Sequence, residues 1–133
     1  MIKARKILVI EDEAALLNVL SDKLKREGFI VSQAKDGVEG LKIVSKVNPD
    51  LILLDIVMPA MDGVTMLKKL RENSKTENIP VIIISNLSEI ERITDALQAK
   101  KGVIEHLIKS HWSMDGLVTK VKETLKIYDM LSQ

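Results

Sequence analysis

Short runs of consecutive apolar residues recur along the chain, and each is followed by a polar segment. Runs that do not alternate with polar positions are typical of strands buried on both faces of a parallel sheet. A weaker strand is predicted at 29–31, where only three apolar residues follow one another. The stronger strands are predicted at 7–10, 51–54, 81–84 and 103–108, the last with a polar interruption.

Helical spacing fills the segments between these runs. Leu16, Leu17, Leu20 and Leu24 share one face of a predicted helix, and Gly28 is placed to end it. Residues with the spacing or chemistry of helix starts precede the other helices. They are Asp36 with Glu39, Asp62-Gly63 for a helix to about Arg71, Ser88 with Glu91, and Ser113 for a helix carrying Leu117, Val121 and Leu125.

The result is five strand–helix repeats in 133 residues, without a linker or a low-complexity segment. Strict alternation predicts an α/β fold: one doubly wound, five-stranded parallel sheet with helices on both faces. We expect a single domain over residues 1–133, with its core at about 6–125. Ligands of such sheets bind beyond the carboxyl ends of the strands, at the topological switch point.

The residues at those strand ends have chemistry in common. Glu11 and Asp12 follow the first strand, Asp55 the third, Ser85 the fourth and Lys109 the fifth. Each one alone is explained as a helix cap, a turn residue or a solvated surface group. Their joint placement on one edge of one sheet favours a functional site.

Three carboxylates at one edge require neutralisation by a proton or a cation, because two like charges about 4 Å apart repel by about 4 kcal/mol at an effective dielectric constant near 20. An all-oxygen site with few carboxylates is typical of Mg²⁺, which commonly binds together with phosphate. A carboxylate can also be the nucleophile of phosphoryl transfer, forming an aspartyl phosphate. Lys109 and the Ser85 hydroxyl are then placed to bind phosphoryl oxygens.

Composition narrows the class of partner. Lys and Arg total 20 against 19 Asp and Glu, and only Phe29, Trp112 and Tyr128 are aromatic, which argues against direct nucleic-acid binding. No apolar stretch approaches the roughly 20 residues that span a bilayer. The chain has no Cys. We expect a soluble cytoplasmic protein with no membrane partner.

These residues, in this order, resemble the response-regulator receiver family of two-component signalling, from about Lys6 to Leu125. The acidic pair Glu11-Asp12, the segment DIVMPAMDG at 55–63, Ser85 and Lys109 match the family's motifs. The resemblance implies the flavodoxin-like (βα)5 receiver fold. It also implies that Asp55 is the phosphoacceptor, and that Ser85 and Lys109 assist it. Mg²⁺ would be held by Glu11, Asp12, Asp55 and the main-chain carbonyl of Val57.

The family's function is the function expected here. A histidine kinase or histidine phosphotransfer protein would donate the phosphoryl group, and the modified chain would change its binding to a downstream protein. The chain would catalyse only its own phosphorylation and dephosphorylation, and so would not be an enzyme in the ordinary sense. The short tail after Leu125 slightly favours a stand-alone regulator over a receiver excised from a longer protein.

Several positions depart from the family's pattern. Asn86 stands where the family usually has a small residue. Ser110 replaces the Pro that usually follows the Lys, so we expect a trans Lys109–Ser110 bond or a reshaped loop. His106 occupies the position of the aromatic switch residue, so Ser85 and His106 would form the switch. Apolar Val57 and Leu87 beside the expected path of the hydrolytic water predict a long-lived phosphoryl group.

Three other functions compete with this interpretation. A haloacid-dehalogenase-like phosphatase requires a second Asp two positions after the nucleophile, where this chain has Val57. A flavodoxin-like cofactor binder is disfavoured because Glu11 and Asp12 would repel a phosphate. A receiver-fold interaction scaffold that works without phosphorylation is the remaining alternative. Retention of all five key residue types argues against it.

Overall fold

The computed structural model describes residues 4–55, 63–85, 104–108 and 113–131, and only the backbone of Ser85 and of 104–108. Its strands are β1 (Lys6–Ile10), β2 (Ile30–Ala34), β3 (Leu51–Asp55), β4 (Val81–Ser85) and β5 (Ile104–Ile108). Its helices are α1 (Ala14–Arg26), α2 (Gly37–Val47), α3 (Gly63–Glu72) and a C-terminal helix (Met114–Leu131). The helix predicted to begin at Ser88 lies outside the described residues.

The five strands form one parallel sheet in the order β2-β1-β3-β4-β5. This arrangement confirms the predicted doubly wound α/β fold. The chain winds in one direction from β1 to β2 and in the other from β3 to β5. The switch point therefore lies between the neighbouring carboxyl ends of β1 and β3, where a ligand crevice is expected.

Two apolar cores lie on opposite faces of the sheet. On one face, α2 and α3 cover alternate residues of the strands, among them Ile10, Leu54 and Ile83. On the other face, α1 and the C-terminal helix cover the intervening residues, among them Val9, Leu53 and Ile84. Because both faces are covered, successive residues of β1, β3 and β4 are buried, which explains their unbroken apolar runs.

Local signals in the sequence set the helix ends. Gly28 follows the end of α1 with φ of +96°, a left-handed conformation that favours glycine, as predicted. The Asp36 carboxylate accepts a hydrogen bond from the Glu39 N–H at 2.8 Å and caps α2. The Glu39 carboxylate accepts from the Lys35 N–H at 3.3 Å, so the reciprocal bond reaches one residue further back than in a capping box. The Ser113 hydroxyl accepts from the Gly116 N–H at 3.0 Å.

Long-range ion pairs join separate elements at the amino ends of the strands, opposite the switch point. The Arg5 guanidinium donates two hydrogen bonds of 2.9 Å to the Asp129 carboxylate near the end of the C-terminal helix. Its Nε lies 3.6 Å from an Asp50 oxygen, which also accepts from the Lys6 N–H at 2.7 Å. No helix within the described ranges is long and apolar enough to cross a bilayer.

Candidate functional site

The neighbouring ends of β1 and β3 bring together two acids that are far apart in the sequence. Ile10 pairs with Leu54 in the sheet, so Glu11, directly after β1, and Asp55, the last residue of β3, lie side by side. The Glu11 N–H donates to the Ala34 carbonyl at 3.0 Å, which extends the pairing of β1 with β2 by one residue. The sheet itself therefore fixes the backbone of both acids at the switch point.

Three carboxylates gather at this edge. One oxygen each of Glu11, Asp12 and Asp55 lies within 4.8 Å of the others. Glu11 and Asp55 are buried, with 2% and 3% of their surface exposed, whereas Asp12 is exposed to solvent. The cluster thus has a buried floor formed by two acids and an open side formed by the third.

The cluster holds a proton more tightly than a free carboxyl group does. The pKa of Glu11 is raised to about 8, first by burial, because an ionised carboxylate loses solvation there. Hydrogen bonds with Asp12 and then Asp55 contribute further to the increase. The Glu13 N–H donates to Glu11 Oε2 at 3.2 Å and acts in the opposite direction, because it stabilises the ionised form.

The donor set fits a hard divalent cation. All three side chains offer oxygen, and Mg²⁺ is typically bound by one or two carboxylates together with water and phosphate. Within the described parts of the chain, Glu11, Asp12 and Asp55 are the one group of three such ligands close enough to share an ion. A cation there would favour the ionised form of Glu11 and so oppose the burial and the neighbouring acids that raise its pKa.

The other predicted site residues are placed by the backbone or lie outside the described residues. Ser85 ends β4, one position beyond the Ile84 that pairs with Asp55, so it lies at the same edge. His106 lies in the middle of β5, opposite Ile83. Lys109 directly follows the last residue of β5 but, like Val57, Asn86, Leu87 and Ser110, falls outside the described part of the chain.

One contributor to the site was not predicted from the sequence. The main-chain N–H of Glu13, the N-cap residue of α1, holds a Glu11 oxygen in place. A backbone donor carries no side-chain signal. The available indication was the position of an acid just before a helix, where main-chain N–H groups are unsatisfied.

Comparisons with known proteins agree on one family. A family model described as the response regulator receiver domain matches residues 7–122. The chain is 34% identical to sporulation initiation phosphotransferase F of Bacillus subtilis, over 92% of this chain and 94% of that protein. It is similar in structure to the receiver domain of Francisella response regulator 1452, with a TM-score of 0.79, 32% identity, and coverage of 92% of this chain and 97% of that one.

Other relatives are longer. The DNA-binding dual master transcriptional regulator RpaA of Synechocystis is 30% identical over 96% of this chain, which corresponds to 52% of RpaA. The chain likewise spans half of a probable transcriptional regulator, ycf27, of Porphyridium aerugineum. The similarity to these proteins therefore covers about half of each of them.

Proposed function

The chain belongs to the response regulator receiver domain family, and on that premise we propose that Asp55 is the carboxylate that accepts the phosphoryl group. A receiver domain of two-component signalling takes this group from a phosphohistidine and catalyses only its own modification. Asp55 is supported as the acceptor by its place at the end of β3, in the floor of the acidic cluster.

The chemistry proposed for Asp55 is a direct displacement. A carboxylate oxygen forms a bond to phosphorus while the bond from phosphorus to the donor's imidazole nitrogen breaks, and that nitrogen keeps the electron pair. Asp55 is buried beside Glu11, so the phosphoryl donor has to approach it from the open side of the cluster, where Asp12 is exposed. The ends of β1 and β3 hold the backbone of Asp55 in a fixed position while the donor approaches.

We assign Mg²⁺ to Glu11, Asp12 and Asp55, with the Val57 carbonyl as a further ligand expected from the family. When bound, the ion supplies positive charge that offsets the carboxylates and the incoming phosphoryl oxygens. The observation that carries the proposal is the meeting of three carboxylates at the switch point. Burial and the two neighbouring acids together raise the pKa of Glu11 there.

Ser85 and Lys109 complete the proposed site. The Ser85 backbone lies at the same sheet edge as Asp55, which supports a role for its hydroxyl as a donor to one phosphoryl oxygen. Lys109, next after β5, would pair with another. Ser85 and His106 form the proposed switch, in which movement of the hydroxyl toward the phosphoryl group is followed by rotation of the imidazole.

The proposed partners are a sensor histidine kinase or a histidine phosphotransfer protein, and a downstream protein that binds the modified form. Similarity to a protein named a phosphotransferase of sporulation initiation supports a place in a relay. A cytoplasmic location is part of the proposal, because a kinase that draws on ATP acts there.

Incubation with acetyl phosphate and Mg²⁺ tests this function. Intact-mass spectrometry should show one added phosphoryl group, and hydroxylamine should remove it. Asp55→Asn should abolish the addition, whereas Asp22→Asn, which removes an exposed acid on α1, should leave it unchanged. Full labelling of the Asp55→Asn protein would exclude Asp55. An unlabelled wild-type protein would instead favour the phosphorylation-independent scaffold.

A further inference from the structure

A face of the molecule outside the acidic site carries exposed positive charge. The segments 35–47 and 64–77 contain α2, α3 and their flanking turns. Their exposed ionisable side chains are six lysines and a single acid, Glu72. The lysines are Lys35, Lys42, Lys46, Lys68, Lys69 and Lys75. We call this set the lysine face.

The helices that carry the lysine face lie side by side. Val44 of α2 and Met66 of α3 belong to the same buried core, so both helices cover the same side of the sheet. They approach closely at Gly40, where an added Cβ would lie 3.0 Å from the Met66 Cε atom. Charges on the solvent sides of α2 and α3 therefore belong to one continuous surface.

These lysines lack carboxylate partners among the residues that the structure describes. Beside α2, Asp36 caps the helix and Glu39 accepts from the Lys35 N–H. Beside α3, the acids are the exposed Glu72 and the half-buried Glu77. Lys42 and Lys46 stand four residues apart on one helix, a spacing at which like charges repel. An anionic partner would relieve this repulsion.

The opposite side of the molecule shows a different arrangement. There, between α1 and the C-terminal helix, Lys122 lies 3.0 Å from a Glu27 oxygen and Lys23 lies 3.4 Å from an Asp115 oxygen. Two cations on that side, Lys23 and Lys122, are thus paired with acids, whereas no lysine of the lysine face forms an ion pair with a described residue. The whole chain carries a net charge of only +1, so the excess of positive charge on the lysine face is local.

From this placement we propose that the lysine face binds an acidic segment of a partner protein. The exposed lysines favour a negatively charged partner, because the charges of the two surfaces would then be complementary. The segments 35–47 and 64–77 contain no aromatic residue and no exposed Arg. They therefore lack the side chains that stack on bases or form bidentate hydrogen bonds to phosphate, which argues against a nucleic acid as the partner. Val38, 41% exposed on the same helix as Lys42, offers an apolar contact within the charged surface.

The inference is independent of phosphoryl transfer, because the lysines lie on the solvent side of two helices rather than at the strand ends. A short polyglutamate peptide is the probe, added to the full chain without a phosphoryl donor in low salt. Backbone amide shifts in NMR spectra should concentrate in 35–47 and 64–77, and added salt should weaken binding.

Two charge-matched variants decide the question. Lys42→Glu with Lys46→Glu and Lys69→Glu should raise the Kd for the peptide at least about tenfold, because three favourable charge interactions become repulsive. Lys25→Glu with Arg26→Glu and Lys126→Glu makes the same change of net charge at exposed cations elsewhere, and it should change the Kd by less than about twofold. Equal losses in the two variants would overturn the proposal.

The class of partner is tested in the same buffer. Duplex DNA and vesicles of anionic lipid should bind the wild-type chain more weakly than the peptide does. Tighter binding of either one, lost in the Lys42, Lys46 and Lys69 variant, would show that the lysine face serves a different class of macromolecule and would overturn the assignment. Circular dichroism of both variants verifies that they remain folded.

Discussion

The buried Glu11 makes the metal-free protein less stable as the pH rises. Its pKa is raised to about 8 in the folded state, first by burial and then by Asp12 and Asp55, against 4.5 for an unperturbed Glu. Between these two values the folded protein holds a proton that the unfolded chain has released. The free energy of unfolding should then fall by about 1.4 kcal/mol for each pH unit, the slope for one proton. Above a pH of about 8 both states are ionised at Glu11, and its contribution levels off.

From pH 6.0 to pH 7.5 this slope amounts to a loss of about 2 kcal/mol. Urea denaturation followed by circular dichroism, with a chelator present, measures the free energy of unfolding at both pH values. Glu11→Gln should remove most of the loss, because the amide does not titrate and its oxygen can still accept from the Glu13 N–H. Saturating Mg²⁺ should also reduce the loss in the wild-type protein, since a cation favours the ionised carboxylates.

Glu123→Gln is the matched control, because it removes an exposed Glu on the C-terminal helix. It should leave the pH dependence as in the wild-type protein. The reasoning fails if the wild-type protein and Glu11→Gln lose the same free energy over this range, or if the wild-type protein becomes more stable. Either result would mean that Glu11 is ionised in the folded protein at pH 6.

Three further substitutions test the site and the packing. Asp12→Asn should raise the melting temperature of the metal-free protein and reduce the increase caused by Mg²⁺, and an unchanged Mg²⁺ effect in a thermal melt would exclude Asp12 as a ligand. Gly40→Val should lower the free energy of unfolding by about 2 kcal/mol in urea titrations, because even one added carbon would lie 2.8 Å from the Ile10 Cδ1 atom; no loss would show that α2 can move away from β1. Thr124→Val should raise the free energy of unfolding by about 1 kcal/mol, because the buried Thr124 hydroxyl has no hydrogen-bond partner among the residues that the structure describes; a lower stability would show that this hydroxyl is satisfied in solution.

The central strands were predictable because burial on both faces leaves an unbroken apolar record. The run at 51–54 predicts β3 to within one residue, and the structure adds Asp55 as its last member. The edge strand was less distinct. It was predicted at 29–31 but runs from Ile30 to Ala34. The prediction stopped early because the polar Ser32 and Gln33 interrupt the apolar pattern, and such residues are tolerated in β2 because it has only one neighbouring strand.

Features that depend on distant segments could not be predicted in the same way. The pairs of Arg5 with Asp129 and of Lys122 with Glu27 join residues on different elements, and their formation depends on how the C-terminal helix lies across the sheet. The gathering of acids was predictable in outline from the strand ends. Which of the acids holds a proton could not be predicted from the sequence, because it depends on which of them is buried. In the structure that acid is Glu11, whose pKa is raised.

The central claim is that Asp55 itself carries the phosphoryl group. Borohydride reduces an acyl phosphate of Asp to homoserine, so the modified position can be read by peptide mapping with tandem mass spectrometry. After treatment with acetyl phosphate and Mg²⁺, then borohydride, homoserine should be found at position 55 and at no other Asp. Homoserine at Asp12, or an unreduced Asp55 in a chain shown to be phosphorylated, would contradict the account.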